Sequence, residues 1–362
     1  MIGGGSGAFI GAVHRLAIQL DGEARVVAGA LSSTPERALE SGRELGLAAD
    51  RTYPDWRAML TSERQRPDPI DAVVIVTPNH AHFEPALAAL NAGFHVIIDK
   101  PMVVEPAHAS ALQEAATRAG RILAVTYNYT GYPLVRTARE LIRTGELGPI
   151  RKVIAEYHQG WLATNLASEG QKQAAWRGDP VLAGAGALGD IGTHAENLIR
   201  YVSGLHIESL AADVHTLVHG RRVDDDALVR LRFAGGAVGH ISVSQVCVGE
   251  ENGLALRIYG ENAGLTWRQE HPNELHLNTL SGDRRIITRG STASQAQGLG
   301  ATRLPPGHPE GFIEAFANVY RGVFAAMRGE RGAEYPDVNA GAAGVRFVAA
   351  ALSSRGAWVP LR

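Results

Sequence analysis

The feature that most restricts the fold of this chain is a series of short apolar runs in its first 126 residues, with helical patterns between them. The runs are rich in β-branched residues and cover Arg25–Leu31, Asp71–Val76, His95–Ile98 and Ile122–Thr126. Apolar runs of this length, bounded by glycine or proline, are more typical of buried strands than of helices. Strands that alternate with helices predict a parallel, doubly wound α/β sheet.

The pattern changes after residue 150, where apolar and polar residues alternate in six successive runs. These runs are Ile150–Tyr157, Ile207–Val218, Asp226–Phe233, Val238–Val248, Leu254–Tyr259 and Gly264–Trp267. They predict an α+β domain built on a large, mostly antiparallel open sheet. We expect its helices at 190–202, 309–327 and 341–352, and a polar, glycine-rich loop at 281–301. The boundary is placed near Thr126, which gives domains 1–126 and 127–362.

Length and composition restrict the class of protein. At 362 residues the chain is too long for one ordinary core, which agrees with two domains. A net charge of −2 gives no sign of a nucleic acid or membrane partner. The single cysteine, Cys247, excludes an internal disulfide and lies in an alternating run where we expect it to pack. No apolar stretch approaches the ~20 residues of a membrane helix and no signal peptide is visible, so we expect a cytoplasmic protein.

A glycine-rich stretch at the start of the chain predicts a phosphate-binding loop. Gly3 and Gly5, followed by Ala8, match the short dinucleotide-binding fingerprint, and a longer register that ends at Gly11 and His14 also fits. Glycines let the backbone approach a pyrophosphate, and the helix that follows offers its N-terminal amide groups. Either the strand before this loop is very short or the recorded start is late. The residues expected to contact the cofactor here are Gly3, Gly5, Ser6, Gly7, Ala8, Phe9 and Ile10.

The residues after the run Arg25–Leu31 bear on the type of dinucleotide. An NAD-selective site places Asp or Glu at this point to bond the ribose 2′-hydroxyl, and no acid stands at the strand end here. Ser32, Ser33 and Arg37 could instead hold a 2′-phosphate, so the sequence slightly favours NADP, or tolerance of both cofactors. The same serines could cap the helix that begins at Pro35, and the two roles are compatible.

Polar residues follow two of the predicted parallel strands, at the sheet edge where ligands bind in such folds. Asp99 and Lys100 directly follow the run His95–Ile98. A lysine in this place is a candidate catalytic residue, and the alternative is an ordinary surface lysine. His80 and His82 are two residues apart, but without a third ligand cluster we expect no metal site. The cofactor contacts expected at the strand ends are Thr77, Pro78, Asn79, His82, Asp99, Lys100 and Asn128.

Asp190 and His194 are four residues apart, so both project from one face if a helix begins near Asp190. Histidine titrates near neutral pH, and a carboxylate one turn away fixes its tautomer and stabilises its charged form. The pair is therefore a candidate for proton transfer. In the alternative interpretation Asp190 caps the helix and His194 is a buried core residue, and the spacing alone does not separate the two.

Taken in order, the motifs Met1–Gly5, Thr77–Asn79, Asp99–Pro101 and Gly189–His194 resemble those of the Gfo/Idh/MocA oxidoreductases, and the resemblance covers nearly the whole chain. It implies that the first domain is a Rossmann domain that binds NAD or NADP. The second domain would then bind the substrate and form a homodimer or homotetramer through its sheet.

The resemblance also assigns roles to single residues. It implies an active-site lysine at Lys100 and an acid/base histidine at His194, with Asp190 as its carboxylate partner. Asp99 stands where the family usually has glutamate, which is a conservative departure. The stretch 128–130 reads Asn-Tyr-Thr where many members have Asn-x-Arg, and this difference suggests another substrate subgroup.

The activity implied by the resemblance is hydride transfer between nicotinamide and a secondary alcohol or ketone of a sugar, glycoside or inositol. His194 would take the hydroxyl proton while Lys100 bonds the same oxygen. Two alternatives stay open: a glycosidase that oxidises its sugar transiently through bound NAD, and a sensor that binds NAD(P) without turnover. Trp161 and Trp176 are equally plausible as core residues. The expected substrate contacts are Lys100, Tyr129, Trp161, Trp176, Arg177, Asp190, His194 and His308.

Overall fold

The structure, a computed structural model, describes residues 1–165 and 176–361 of the chain. It divides into two compact units, each made of two segments of the sequence. The first unit is Met1–Tyr127 with Phe316–Ala342, and the second is Asn128–Ala315 with Ala343–Arg362.

Residues 316–342 are placed differently from the sequence expectation, which kept 127–362 together as one domain. They pack with the N-terminal segment, and the Val125 N–H donates to the Pro336 carbonyl at 2.8 Å. The helical pattern near residue 320 identifies a helix but does not identify the sheet that the helix covers, so the sequence could not assign this segment.

The first unit contains a parallel sheet of four strands in the order β1-β2-β3-β4. Its strands are β1 (Ile2–Gly3), β2 (Ala72–Val76), β3 (His95–Ile98) and β4 (Leu123–Val125). Residues at the centres of β2 and β3 are fully buried, which is typical of a parallel sheet covered on both faces. The three predicted strands after residue 70 therefore form as expected.

The prediction of a strand at Arg25–Leu31 is wrong in its extent, because only two of these residues pair with another segment. Ala30 forms an isolated parallel bridge with Ile2, and Gly29 forms one with Thr52. Strand β1 has only two residues, so residues 25–28 have no neighbouring strand of sufficient length to form a ladder. The bridges nevertheless extend the sheet beyond β1 in the order expected of a doubly wound fold.

Helices connect these strands, and their ends follow from the sequence. They are α1 (Phe9–Gln19), α2 (Pro35–Glu44), α3 (Trp56–Gln65), α4 (Phe83–Asn91) and α5 (Pro106–Ala119). Proline occupies the first turn of α2 and of α5, where its missing N–H costs nothing. The Asp55 side chain accepts from two N–H groups at the start of α3, and Gly120 ends α5 in the left-handed region.

The second unit contains a sheet of nine strands in the order β12-β11-β10-β9-β5-β8-β7-β6-β13. All neighbouring pairs are antiparallel except β5 and β8, which are parallel. The strands are β5 (Ile150–His158), β6 (Ile207–His215), β7 (Asp226–Phe233), β8 (Val238–Ser244), β9 (Gly253–Gly260), β10 (Ala263–Arg268), β11 (Glu274–Thr279), β12 (Arg284–Thr288) and β13 (Val359–Pro360). The predicted large, mostly antiparallel sheet is confirmed.

Two details of this unit correct the sequence prediction. The expected loop at 281–301 contains strand β12 and helix α9 (Ala296–Gly300), because only Ile287 of β12 is buried and its outward residues hide the apolar signal. The predicted strand Val238–Val248 ends at Ser244, so Cys247 lies in a partly exposed loop instead of packing in a strand.

Helices of the second unit cover one face of the nine-stranded sheet. In β7, Ala227, Val229 and Leu231 are buried, and they alternate with exposed residues on the opposite face. The remaining α-helices in the described part of the chain are α6 (Pro133–Arg143), α7 (Pro180–Ala183), α8 (Thr193–Ser203), α10 (Phe312–Met327) and α11 (Val338–Ser354). Within residues 1–165 and 176–361, none of the helices has the length and apolar character needed to cross a membrane.

Candidate active site

The glycine-rich loop joins β1 to α1 through a turn that requires glycine. Gly3, Gly4 and Gly7 all have positive φ angles between 70° and 76°. A Cβ atom on Gly11 would lie 2.3 Å from the Gly4 carbonyl oxygen, so helix α1 can start this close to the strand only without side chains. The N-cap residue Ala8 makes no side-chain bond to the first turn of α1.

This cradle fits the pyrophosphate of a dinucleotide. Ser6, Gly7 and Phe9 are exposed at the mouth of the loop, and the first turn of the 11-residue helix α1 offers backbone N–H groups to an anion. The Gly5 N–H is already used by the Leu31 carbonyl at 3.1 Å, so this glycine shapes the loop. Ala8 and Ile10 are half-buried beside it.

Ser32, Ser33 and Arg37 lie at the edge of the sheet beyond β1. Ser33 and Arg37 are exposed, and Ser32 is half-buried with its hydroxyl 3.4 Å from the Thr34 N–H. Thr34 is the N-cap of α2, but its own side chain makes no capping bond. The serines are therefore available to a ligand as well as to the helix start.

His82 links the loops that follow β2 and β3. Its ring is 1% exposed, with Nε2 2.8 Å from the Thr77 carbonyl and Nδ1 3.0 Å from the Pro101 carbonyl. Burial lowers the pKa of His82. Asn79 is also buried, whereas Pro78 is exposed. Both predicted strand-end loops therefore lie at the carboxyl edge of the parallel sheet and are held together by one imidazole.

Asp99 and Lys100 follow β3 directly, with Lys100 half-buried. The Thr126 hydroxyl donates to Asp99 Oδ1 at 2.8 Å, and His14 Nε2 lies 3.8 Å from the same oxygen. Burial acts to raise the pKa of Asp99, but His14, Lys100 and Thr126 outweigh it and hold that pKa well below its usual range. Asp99 is therefore a carboxylate beside the lysine.

A cavity of about 810 Å³ in the first unit lies away from these residues. It is lined by Met1, Ala72 and His95, which lie at the amino ends of β1, β2 and β3. The glycine-rich loop and Lys100 follow the carboxyl ends, so this cavity is not the candidate cofactor site.

Asp190 of the second unit lies in a π-helical turn, Leu188–Gly192, that leads into α8. It is not an N-cap, because helical backbone continues on both sides of it. The buried Asp224 carboxylate accepts from the N–H groups of Gly186 and Leu188, both at 2.7 Å, and so fixes the entry to this turn. Turns of this kind inside helices frequently occur at functional sites.

His194 follows in the first turn of α8 and is 6% exposed. Its ring meets the Tyr129 ring edge to face, with 4.7 Å between centroids. The Tyr129 hydroxyl lies 2.6 Å from the Tyr157 hydroxyl, which donates to Asn252 Oδ1 at 2.7 Å. Burial raises the pKa of both tyrosines, so they remain neutral hydrogen-bonding groups beside the imidazole.

Asp190 is held by an amide and a guanidinium. Gln245 Nε2 donates to Asp190 Oδ2 at 2.9 Å, and Arg177 Nε lies 3.5 Å from the same oxygen. The Arg177 guanidinium also stacks 4.3 Å above the ring of Trp176. The carboxylate is therefore oriented and partly neutralised.

The network continues through Gln159, which contacts two of the residues above. Its Oε1 accepts from Trp161 Nε1 at 3.0 Å and lies 3.4 Å from Gln245 Nε2. Its Nε2 donates to Asn252 Oδ1 at 2.9 Å. These bonds join the tyrosines beside His194 to the groups that hold Asp190. We call the set Tyr129, Tyr157, Gln159, Trp161, Arg177, Asp190, Gln245 and Asn252 the polar network.

Some predicted residues join this network and others do not. Tyr129, Trp161, Arg177 and Asp190 belong to it, and Trp176 supports Arg177. His308 does not: its imidazole is exposed in the loop before α10, and its carbonyl accepts from Arg289. Asn128 is buried next to Tyr129.

Sequence reasoning missed Tyr157, Gln159, Gln245 and Asn252. A signal was present, because Gln159 and Gln245 directly follow strands β5 and β8, the one parallel pair of this sheet. Polar residues at the carboxyl ends of parallel strands are candidates for a site. The pairing of β5 with β8 cannot be read from the sequence, since helices α7 and α8 and strands β6 and β7 lie between them in the chain.

Comparisons with known proteins agree with this arrangement. Residues 1–127 match a family model described as an oxidoreductase family with an NAD-binding Rossmann fold, and residues 135–266 match the GFO/IDH/MocA C-terminal domain. An uncharacterized oxidoreductase, YfiI of Bacillus subtilis, is 33% identical over 363 residues, which cover 96% of this chain and 92% of that protein.

Solved structures give the same result. An inositol dehydrogenase homolog from Azotobacter vinelandii, complexed with NADH and myo-inositol, has a TM-score of 0.94 at 36% identity over 99% of this chain and 96% of that one. Levoglucosan dehydrogenase in complex with NADH and levoglucosan has a TM-score of 0.85 at 28% identity over 100% of this chain and 98% of that one; a levoglucosan dehydrogenase from Pseudarthrobacter phenanthrenivorans is 29% identical over 77% of this chain. The chain therefore belongs to the Gfo/Idh/MocA family of NAD-binding oxidoreductases.

Proposed function

We propose that this protein is an NAD(P)-dependent dehydrogenase that acts on a secondary alcohol or ketone of a cyclitol, sugar or glycoside. The observation that carries the proposal is the buried His194 imidazole beside Tyr129, four residues after an Asp190 carboxylate that is held by Gln245 and Arg177. This arrangement occurs in a chain that has an NAD-binding Rossmann domain. Among its relatives are a levoglucosan dehydrogenase and an inositol dehydrogenase homolog complexed with myo-inositol.

In the proposed reaction the bound cofactor supplies the hydride acceptor, and the protein handles the proton. His194 takes the hydroxyl proton, because histidine is the side-chain type best suited to exchange a proton near neutral pH. Lys100 donates a hydrogen bond to the same oxygen and stabilises the negative charge that develops on it. Asp190 holds His194 in the productive tautomer and stabilises its protonated form.

The polar network suits a substrate that carries many hydroxyl groups. Hydroxyls both donate and accept, and so do the amides of Gln159, Gln245 and Asn252. The neutral Tyr129 and Tyr157 hydroxyls add two more groups that can reverse their roles. Such a set recognises a neutral polyol better than a phosphorylated one, because its one described cation, Arg177, is already paired with Asp190.

For the cofactor we propose NAD or NADP, with a slight preference for NADP or tolerance of both. The fit of the pyrophosphate rests on the glycine cradle and the first turn of α1. Ser32, Ser33 and Arg37 stand where a 2′-phosphate would be recognised, and residues 30–34 contain no acid that would select the 2′-hydroxyl instead.

The test is a screen of purified protein against myo-inositol, levoglucosan, glucose and xylose, with NAD and NADP in parallel. We expect reduced nicotinamide to accumulate with at least one polyol, and His194→Asn to remove this activity while NADH still binds. A sugar-releasing activity without net reduction of added NAD would favour the transient-oxidation glycosidase. Tight cofactor binding with no turnover on any of these compounds would favour the sensor.

A further inference from the structure

Three polar groups of the first unit form a chain that ends at Asp99, the residue before Lys100. His14 comes from α1, Tyr320 from α10, and Asp99 from the end of β3. His14 Nδ1 is 2.6 Å from the Tyr320 hydroxyl, and His14 Nε2 is 3.8 Å from Asp99 Oδ1. His14 is 0% exposed and Tyr320 is 1% exposed. The proposed reaction uses neither His14 nor Tyr320.

The hydrogen bonds fix the direction in which protons point along this chain. Among the described residues, His14 Nδ1 is the one hydrogen-bond partner of the Tyr320 hydroxyl. Burial, together with the charge of Asp99, raises the pKa of Tyr320 well above its usual value, so the hydroxyl keeps its proton. Donation of that proton to Nδ1 gives this buried hydroxyl an acceptor.

The tautomer of His14 follows from this direction. If Nδ1 accepts from Tyr320, the ring proton of the neutral imidazole sits on Nε2, the nitrogen that faces Asp99. Thr126 donates a hydrogen bond to Asp99 Oδ1 at 2.8 Å, while the His14 Nε2–H faces the same oxygen from 3.8 Å, beyond hydrogen-bond length. Both groups favour the ionised form of the carboxylate.

This chain of polar groups occupies space that apolar side chains could fill. The Phe316 ring packs edge to face against His14 with 5.2 Å between centroids, so an apolar neighbour is already present. Replacing buried polar groups by apolar ones of similar volume is often neutral or stabilising. Stability alone thus gives little reason for a tyrosine and a histidine here, whereas orientation of the residue next to Lys100 gives one.

We propose that Tyr320 and His14 are positioning residues, which hold the Asp99 carboxylate ionised and fixed in place beside Lys100. Asp99 in turn holds the backbone at Lys100 in the position that the reaction needs. This inference rests on the role proposed above for Lys100. It extends the site to a residue 306 positions away from His14 in the sequence.

Kinetics of four variants test the inference, with NAD and the polyol that is oxidised fastest. Tyr320→Phe removes only the hydroxyl and should lower kcat by about 3- to 10-fold, with both KM values within about twofold. His14→Leu should lower kcat by about 10- to 100-fold. His14→Gln keeps a donor for Asp99 and an acceptor for Tyr320, and should recover kcat to within about threefold of wild type.

Tyr53→Phe is the matched control, since the Tyr53 hydroxyl is also buried in the first unit but donates to Glu63 at 2.8 Å. It should lower thermal stability without changing kcat. If Tyr320→Phe and His14→Leu fold and keep the wild-type kcat, the positioning role is refuted. An equal loss in Tyr53→Phe would also refute it, because the effect would then be general destabilisation.

A spectroscopic readout tests the same inference without turnover. The chain has only three lysines, Lys100, Lys152 and Lys172, so selective lysine labelling gives a simple NMR spectrum in which Lys100→Met identifies one signal. The Lys100 signal should shift in Tyr320→Phe and His14→Leu while the Lys152 signal stays in place. The His14 ring should show its proton on Nε2 in the wild type and lose that preference in Tyr320→Phe.

The two readouts separate failure of this inference from failure of the proposed function. If no polyol is oxidised, the proposed function fails, and the NMR spectra still decide whether His14, Tyr320 and Asp99 orient Lys100. If Lys100→Met abolishes turnover but Tyr320→Phe changes neither kcat nor the Lys100 signal, only the positioning inference fails.

Discussion

Replacing Gln245 with methionine removes the hydrogen bond that orients Asp190 and keeps the side chain nearly the same size. Gln245 Nε2 donates to Asp190 Oδ2 at 2.9 Å, and Gln245 is 2% exposed, so water does not readily replace the lost donor. A hydrogen bond to a charged acceptor contributes about 1.5–3 kcal/mol. Since about 1.4 kcal/mol corresponds to a tenfold change in rate, a complete loss from the transition state would lower kcat/KM by roughly 10- to 150-fold.

The contact of Arg177 with the same oxygen decides where in this range the result should fall. Arg177 Nε lies 3.5 Å from Asp190 Oδ2 and keeps part of the orientation when the amide is lost. We therefore expect a loss near the lower limit, about tenfold. Gln245→Glu should cost more, because it places a second carboxylate against Asp190.

The assay is steady-state kcat/KM for NAD-dependent oxidation of the best polyol, together with NADH affinity by fluorescence and the melting temperature. The matched control is Gln113→Met, because the Gln113 amide donates to Asn339 Oδ1 at 2.7 Å on an exposed surface of the first unit. The control should stay within about twofold of wild type. If Gln245→Met keeps the wild-type kcat/KM, the claim that this amide orients a catalytic carboxylate is refuted.

Three further predictions concern the first unit. Bonds from Arg51 and a tyrosine outweigh burial and lower the pKa of Glu63, so Glu63→Gln should cost about 3 kcal/mol of unfolding free energy at pH 7. The pKa of Glu63 is lower in the folded state than in the unfolded state, so this stabilisation is present above pH ~4.5 and is lost as the pH falls. The difference in melting temperature between wild type and variant should therefore shrink towards pH ~3. A constant difference would contradict the assignment. Arg37→Ala should weaken NADP binding about tenfold and leave NAD binding unchanged, as measured by nicotinamide fluorescence. Unchanged NADP binding would show that Arg37 does not contact the 2′-phosphate. Gly11→Ala places a Cβ 2.3 Å from the Gly4 carbonyl and should abolish dinucleotide binding; retained affinity by calorimetry would show that the loop tolerates the atom.

Much of the fold could be predicted because local patterns determine it. The runs that become β2, β3 and β4 are apolar throughout, and their ends are fixed by glycine, proline and polar residues. The sequence left open a very short first strand or a late recorded start, and β1 in the structure has two residues. The short length of β1 also explains why the predicted strand Arg25–Leu31 does not form in full, because a strand needs a partner of matching length.

Other parts of the fold depend on contacts that no local pattern contains. Strand β12 has one buried residue, Ile287, so its sequence is too polar to suggest a strand, and pairing with β11 is what organises it. Helix α10 is recognisable from its pattern, but the packing of its residues after 315 with the first unit is not.

The candidate site also has residues that could be predicted from the sequence and residues that could not. Asp190 and His194 could be found because they are close in sequence and have the residue types that proton transfer needs. Tyr157 and Gln245 could not, because tertiary structure alone brings them to the same network. Tyr320 is the extreme case, since its partner His14 lies at the other end of the chain.

The most direct test of the central claim is a double-mutant cycle of Lys100→Met and His194→Asn, measured as kcat/KM for NAD-dependent oxidation of the best polyol. If both residues act on the same oxygen of one substrate, each single variant should lose about 10²- to 10⁴-fold, and the double variant should lose little more than the worse single one. Losses that multiply fully would mean that the two residues act independently. Wild-type rates in either single variant would contradict the assignment of that residue to the reaction.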